Sequence, residues 1–190
     1  MNEYEFVIDK RIYNTYKKIE NGMINLLKEK SYADINVKEI CAASGVSRGT
    51  FYKHYKDKDD FLYQYQKEKM RLGKKVMLKG NIEKRLQFFE KILNFWQEEA
   101  ELLLLLLGDV GAFITHNAIK KNLQANIEVQ LIPILDTNLL TNKEKYFMLI
   151  FLSNAIFSVI QDWVQRGRIE SSQEIATIID KIIKTVFIKE

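Results

Sequence analysis

Between Gly45 and Phe61 the chain reads GVSRGTFYKHYKDKDDF. Ser47, Arg48, Thr50, Tyr52, Lys53 and His54 crowd hydrogen-bond donors into this short stretch. Two large apolar side chains, Phe51 and Tyr55, lie among them, four residues apart, as on one face of a helix. The chemistry such a set can do is recognition rather than bond making. Arginine carries a planar fork of donors that matches O6 and N7 of guanine. Tyrosine, histidine and lysine donate to phosphate oxygens, which fix register without reading sequence. Glycine at 49 would let another surface approach the backbone closely. No comparable set exists for catalysis. Cys41, His54 and His116 are the only cysteine and histidines and are dispersed. No metal site and no cofactor is expected, and no enzyme. The chain holds no Glu-x-x-His pair, no His-Glu-x-x-His, no phosphate-binding glycine loop and no nucleophile elbow.

The elements that position this stretch can be read around it. With eight Gly and one Pro in 190 residues, turns are sparse and long helices are expected. A first helix is expected over Arg11–Lys30, from Ile12, Tyr16, Ile19, Met23, Leu26 and Leu27 at helical spacing. Asn36 can cap a second helix, VKEICAAS, with Glu39 three residues on as in a capping box. Gly45 then suits a left-handed turn. Ser47 can cap a short third helix that ends near His54. Val46, Phe51 and Tyr55 would face inward and the donors outward. A fourth helix starts near Asp57. Beyond Gly80 four or five more apolar helices follow, and no strand pattern is sustained. The fold class is all-α: a small N-terminal domain over residues 1–58, a connecting helix over 59–79 and a larger helical domain over 80–190.

Charge follows the same division. From Lys10 to Lys58 eleven Lys or Arg face five Asp or Glu, a surplus of six. The whole chain carries +4, so the remainder is net acidic by two. A basic head on an acidic body suits a polyanion partner. The start, MNEYEFVIDKR, lacks the apolar stretch of a secretion signal. The longest apolar run, Leu102 to Leu107, is too short to span a bilayer. The expected compartment is the cytoplasm, with no membrane partner.

A helix, a glycine turn and a short second helix form the plan of the helix-turn-helix. Residues 11–60 resemble the DNA-binding domain of the TetR family of bacterial regulators. The matching stretch is INVKEICAASGVSRGTFYKHYKDKDDF, with its capped second helix, the turn Ala43-Ser44-Gly45-Val46, Phe-Tyr-x-His, an aromatic at Tyr55 and Lys-x-Lys opening the fourth helix. Cys41 stands where Ala is more usual, and Tyr55 where Phe is. The DNA-facing set is Asn36, Ser47, Arg48, Gly49, Thr50, Tyr52, Lys53, His54 and Lys58. The resemblance implies a homodimer on double-stranded operator DNA, most simply a repressor. It also implies a C-terminal domain that dimerises through a four-helix bundle and holds an effector, either a small molecule or a partner protein. Two reading heads in successive major-groove turns must sit about 34–36 Å apart, or a multiple of that.

Past Gly80 the resemblance weakens. Lys143–Arg166 reads as one dimer helix, with Phe147, Ile150, Phe151, Asn154, Phe157, Ser158 and Gln161 facing a partner. Ser171–Phe187 reads as the second, with Ile175, Ile178, Ile179, Ile182, Ile183 and Val186. The stretch from Trp163 to Gly167 and the apolar helix after it resemble the subgroup that includes dihydroxyacetone-kinase regulators. Phe88, Phe95, Trp96, Phe113, His116 and Tyr146 are the residues expected to line an effector site, although aromatics at this spacing more often form core. An enzyme on a helix bundle is the competing class and lacks its constellation. An adaptor that keeps the fold but acts through a protein partner instead of DNA is the other, and the intact donor set argues against it.

Overall fold

The computed structural model describes residues 10–79, 84–135, 137 and 139–187, without the side chains of Val186 and Phe187. The N-terminal residues 1–9, read above for a signal, and the Val186 side chain, assigned above to a dimer face, lie outside the described residues. No strand occurs among those that are described, as the sparse turns and helical periodicity require. The helices are α1 (Lys10–Leu27), α2 (Val37–Ser44), α3 (Arg48–His54), α4 (Lys58–Leu78), α5 (Arg85–Glu99), α6 (Glu101–Gly108), α7 (Phe113–Asn126), α8 (Asn142–Gln165) and α9 (Ser172–Phe187). A 3-10 turn, Tyr32–Asp34, joins α1 to α2; a π-helical turn, Ile127–Leu131, and a 3-10 turn, Ile132–Ile134, prolong α7. The chain divides into two compact units, Met1–Gln64 and Tyr65–Glu190, with the division inside α4.

The first unit is organised by α1 packing on α2, with Ile19, Met23, Ile35 and Ile40 essentially sealed from solvent. Asn36 and Glu39 form the capping box that starts α2: the Glu39 amide donates to Asn36 Oδ1 at 3.1 Å and the Asn36 amide to Glu39 Oε2 at 3.0 Å. Lys30 pairs with Glu39 and holds its carboxyl below the usual carboxylate range, helped by the Asn36 amide. Gly45 ends α2 at φ +65°, a left-handed conformation that costs glycine nothing. The Val46 amide reaches back to the Cys41 carbonyl at 3.2 Å. The chain therefore reverses within two residues, and Val46 turns inward.

Aromatic rings hold α3 to this core. Phe51 is fully buried, and its ring lies 5.5 Å from that of Tyr55. Tyr55 meets Phe61 edge-on at 5.1 Å, and Phe61 lies 6.2 Å from Tyr16 of α1.

In the second unit α5 packs along α9, joined by Arg85 Nε donating to Asp180 at 2.9 Å. The apolar helix α6 is enclosed by α5, α7 and α8. A helix leaves its last carbonyls without partners. Here His116 Nε2 donates to Leu106 O at 2.9 Å, Gln161 Nε2 to Leu107 O at 3.0 Å and Gln165 Nε2 to Gly108 O at 3.2 Å. Arg168 grips Glu101, at the other end of α6, through two bonds of 2.8 Å. By length and composition α8 is apolar enough to cross a bilayer. Its buried side, from Leu149 to Val164, nevertheless lies in the core of this unit.

This burial corrects part of the expected dimer face. Phe157, Ile175, Ile179 and Ile183 are 3–4% exposed and belong to the chain's own core. Gln161 is spent on α6. Both helices are apolar on two sides, so spacing alone does not separate the inner side from the outer. Phe147, Phe151, Asn154 and Ser158 on α8, with Ile178 and Ile182 on α9, are the exposed members, and Ile150 is half-buried.

Phe51→Ala should destabilise the first unit by about 3–5 kcal/mol, the usual cost of an aromatic cavity. Denaturant unfolding followed by tyrosine fluorescence checks this; a midpoint equal to wild type would remove Phe51 from the core.

Candidate nucleic-acid interface

Helix α3 begins at Ser47, whose Oγ accepts the Thr50 amide at 3.1 Å and lies 2.9 Å from the Thr50 hydroxyl. The two hydroxyls thus engage each other, and Thr50 retains an acceptor lone pair and its methyl group for recognition. Arg48, Gly49, Tyr52 and Lys53 are exposed, with Thr50 and His54 half-buried between them. Tyr52 is 53% exposed and stands edge-on to Phe51 at 5.6 Å. The core thus supports the Tyr52 ring on one side and leaves about half of the residue exposed. The side chains of Arg48 and Lys53 have neither hydrogen bond nor ion pair among the described residues. Surface cations commonly find a carboxylate nearby, and α3 itself contains none.

Gly49 adds a separate indication. A Cβ placed there would meet nothing nearer than Ser47 Oγ at 4.0 Å. The fold does not need a glycine at this position, and glycine within a helix costs about 0.5–1 kcal/mol relative to alanine. A glycine there leaves room for a close approach to α3 from outside the chain.

Two members of the expected set have other duties. Asn36 spends its Oδ1 on the α2 cap. Lys58 departs further from expectation. Its Nζ donates to the carbonyls of Tyr32 at 2.7 Å, Ala33 at 3.2 Å and Ile35 at 2.7 Å, and lies 4.5 Å from the centre of the Tyr32 ring. An ammonium has three donors, and all three are taken. The Tyr32 hydroxyl donates to Asp59 at 2.6 Å; burial first, then this bond, pushes its pKa far above the ordinary tyrosine value. Sequence spacing gave no sign of this arrangement, because the acceptors are backbone atoms of the α1–α2 turn.

The residues expected to line an effector site differ in burial. Phe88, Phe95 and Trp96 are buried on α5. His116 is half-buried, bonded to Leu106 and set between the rings of Phe113 at 6.5 Å and Phe157 at 5.8 Å. Phe113 and Tyr146 are 67% and 56% exposed, and Tyr146 meets Phe147 edge-on. Of the six, Phe113 and His116 are in ring contact.

A capped helix, a left-handed glycine turn and a short helix that shows its donors to solvent define a helix-turn-helix protein. The family model described as bacterial regulatory proteins, tetR family, matches residues 23–64, and one described as a transcriptional regulator C-terminal region matches residues 83–185. The chain belongs to the TetR family of bacterial regulatory proteins. An uncharacterized HTH-type transcriptional regulator, YwcC of Bacillus subtilis (strain 168), is 38% identical over 64 residues, which are 34% of this chain and 28% of that one. The match therefore spans little more than a quarter of that relative. The fold is similar to that of the dihydroxyacetone kinase operon activator DhaS, with a TM-score of 0.62, 15% identity and coverage of 91% of this chain and 96% of that one. A TetR transcriptional regulator from Streptococcus agalactiae 2603V gives 0.60, 20% identity and coverage of 92% and 96%.

Arg48→Ala should cost about 1–3 kcal/mol on a bound duplex and relax selectivity at one base position. Binding measured across single-base variants checks this, and equal weakening on all of them would make Arg48 a phosphate contact. Gly49→Ala should leave the free protein as stable as wild type, or about 0.5–1 kcal/mol more so, and weaken DNA binding. Unchanged DNA affinity would mean that nothing approaches α3 closely there.

Proposed function

We propose that the chain is a homodimeric repressor that binds a palindromic operator through α3 and is released by an effector held in its second unit. The observation that carries this reading is the face of α3, where Arg48, Lys53 and Tyr52 stand exposed with no carboxylate among them. Ser47, Gly49, Thr50 and His54 complete the face, and Asn36 borders it at the start of α2.

The homodimer reading rests on the outer sides of α8 and α9. Phe147, Phe151, Asn154 and Ser158 recur at helical spacing, and Ile178 and Ile182 continue the apolar surface. Two such helices from each copy would form a four-helix bundle with the packing of coiled coils. Effector binding in the second unit is supported by its match to the transcriptional regulator C-terminal region, with Phe88, Phe95, Trp96 and His116 as candidate contacts. The effector is a small molecule or a partner protein, and the exposed Phe113 and Tyr146 suit the latter. Repression is the simplest outcome of occupying an operator. The fold does not fix the sign, since the similar DhaS is named an activator. The reading requires the cytoplasm, where the DNA is, and no cofactor.

Mobility shift with fragments of the source genome tests the reading. A discrete set of shifted fragments that resist competitor DNA is the expected result; a folded protein that shifts none would favour the adaptor. Ile182→Asp should break the dimer, because a carboxylate in an apolar interface costs several kcal/mol. A dissociation constant raised at least about 100-fold, near 3 kcal/mol, should appear in sedimentation. A wild-type mass at micromolar concentration would move the interface elsewhere.

A further inference from the structure

We propose that Lys58 is a positioning residue for DNA binding, and that Lys56 supplies the phosphate contact on this side of the reading head. The inference rests on the operator-binding reading above and assigns work between two lysines two residues apart.

Lys58 has no donor left for DNA. Its three N–H groups point at the carbonyls of Tyr32, Ala33 and Ile35, and the Tyr32 ring covers its ammonium. A phosphate would have to compete with three bonds that satisfy the ammonium and with the backbone carbonyls left behind. Exchanging one filled set of bonds for another gains little. The clamp has a second jaw: Asp59, the next residue, accepts the Tyr32 hydroxyl. The first turn of α4 thus holds the α1–α2 turn from two sides. Lys58 lies 23–26 residues along the chain from its acceptors. The intervening segment contains all of α2 and α3. The clamp closes that segment into a loop and sets the start of α2 against the start of α4. Both ends of the helix-turn-helix are then fixed, and with them the angle at which α3 is presented.

Lys56 has the opposite character. It is exposed, and its side chain makes no hydrogen bond or ion pair among the described residues. Its backbone is held, however: the Lys56 amide donates to Asp60 Oδ2 at 2.9 Å. Asp57 Oδ1 accepts the Asp60 amide at 2.8 Å and caps α4. The side chain therefore starts from a fixed point two residues past His54, at the end of the donor-bearing helix. The Lys56 charge acts on the Asp60 carboxylate, but no bond ties the ammonium down. A fixed base with an unbonded ammonium is what a phosphate contact requires.

The test is the salt dependence of binding to a genomic duplex that wild-type protein shifts, measured well below the melting temperature of each variant. If wild type shifts no duplex, the operator reading fails and the assignment is not reached. If it does, Lys56→Ala should lower the slope of log affinity against log salt by about 0.9, the value of one phosphate. Lys58→Met should weaken binding at least about tenfold with the slope unchanged. Asp59→Asn, which loosens the second jaw and leaves the Lys58 charge in place, should weaken binding in the same sense, also at constant slope. A slope reduced by Lys58→Met would make Lys58 the phosphate contact and overturn the assignment. Full affinity in a folded Lys58→Met would reduce the clamp to a stability feature and overturn it equally. An unchanged slope in Lys56→Ala would remove Lys56.

Discussion

Helix α3 has seven residues. A helix that short cannot hold itself in water, because the nucleation cost is spread over too few bonds. Everything it could do therefore depends on the contact between Phe51 and the first unit's core. That contact has to come from one face only, since the other face must stay free. Phe51, Tyr55 and Val46 meet this constraint by facing the core together. The Ser47 cap fixes where the helix begins and the left-handed Gly45 fixes how the chain enters it. Arg48, Tyr52 and Lys53 can then remain exposed without any stability derived from them.

Tyr52 shows how the two faces cooperate. Its ring stands edge-on to Phe51 while the residue remains half exposed. A long polar side chain that is ordered before it binds loses less entropy on binding than a free one. The Lys58 and Asp59 clamp extends the same logic from a side chain to the whole motif. Tertiary bonds outside α2 and α3 hold the turn that leads into them. A donor set on a loosely held helix would read DNA at several angles.

Most of the first unit was legible because its signals are local. Asn36 and Glu39, Ser47, and Gly45 each act on residues within four positions, so cap and turn chemistry appear in the sequence as short patterns. The Lys58 clamp was hidden because its acceptors are carbonyls, which every residue carries, set more than twenty positions away. In the second unit the helices α8 and α9 were legible almost to their ends, but their faces were not. Phe157 and Phe151 are chemically alike and six residues apart; one is core and the other exposed. Which is which depends on where α6 and α7 lie, and apolar spacing on one helix does not encode that. The side-chain capping of α6 by His116, Gln161 and Gln165 was invisible for the same reason. His116 therefore reads in the sequence only as a candidate for the effector site, and the bond from its Nε2 to Leu106 has no local signature.

The central claim is that the exposed face of α3 reads base sequence as one half of a symmetric pair. Selection of bound duplexes from a random pool with purified protein tests it most directly. The account predicts a recovered palindrome whose half-sites are centred about 10–10.5 base pairs apart, or a multiple of that. A folded, dimeric protein that enriches no sequence would contradict it.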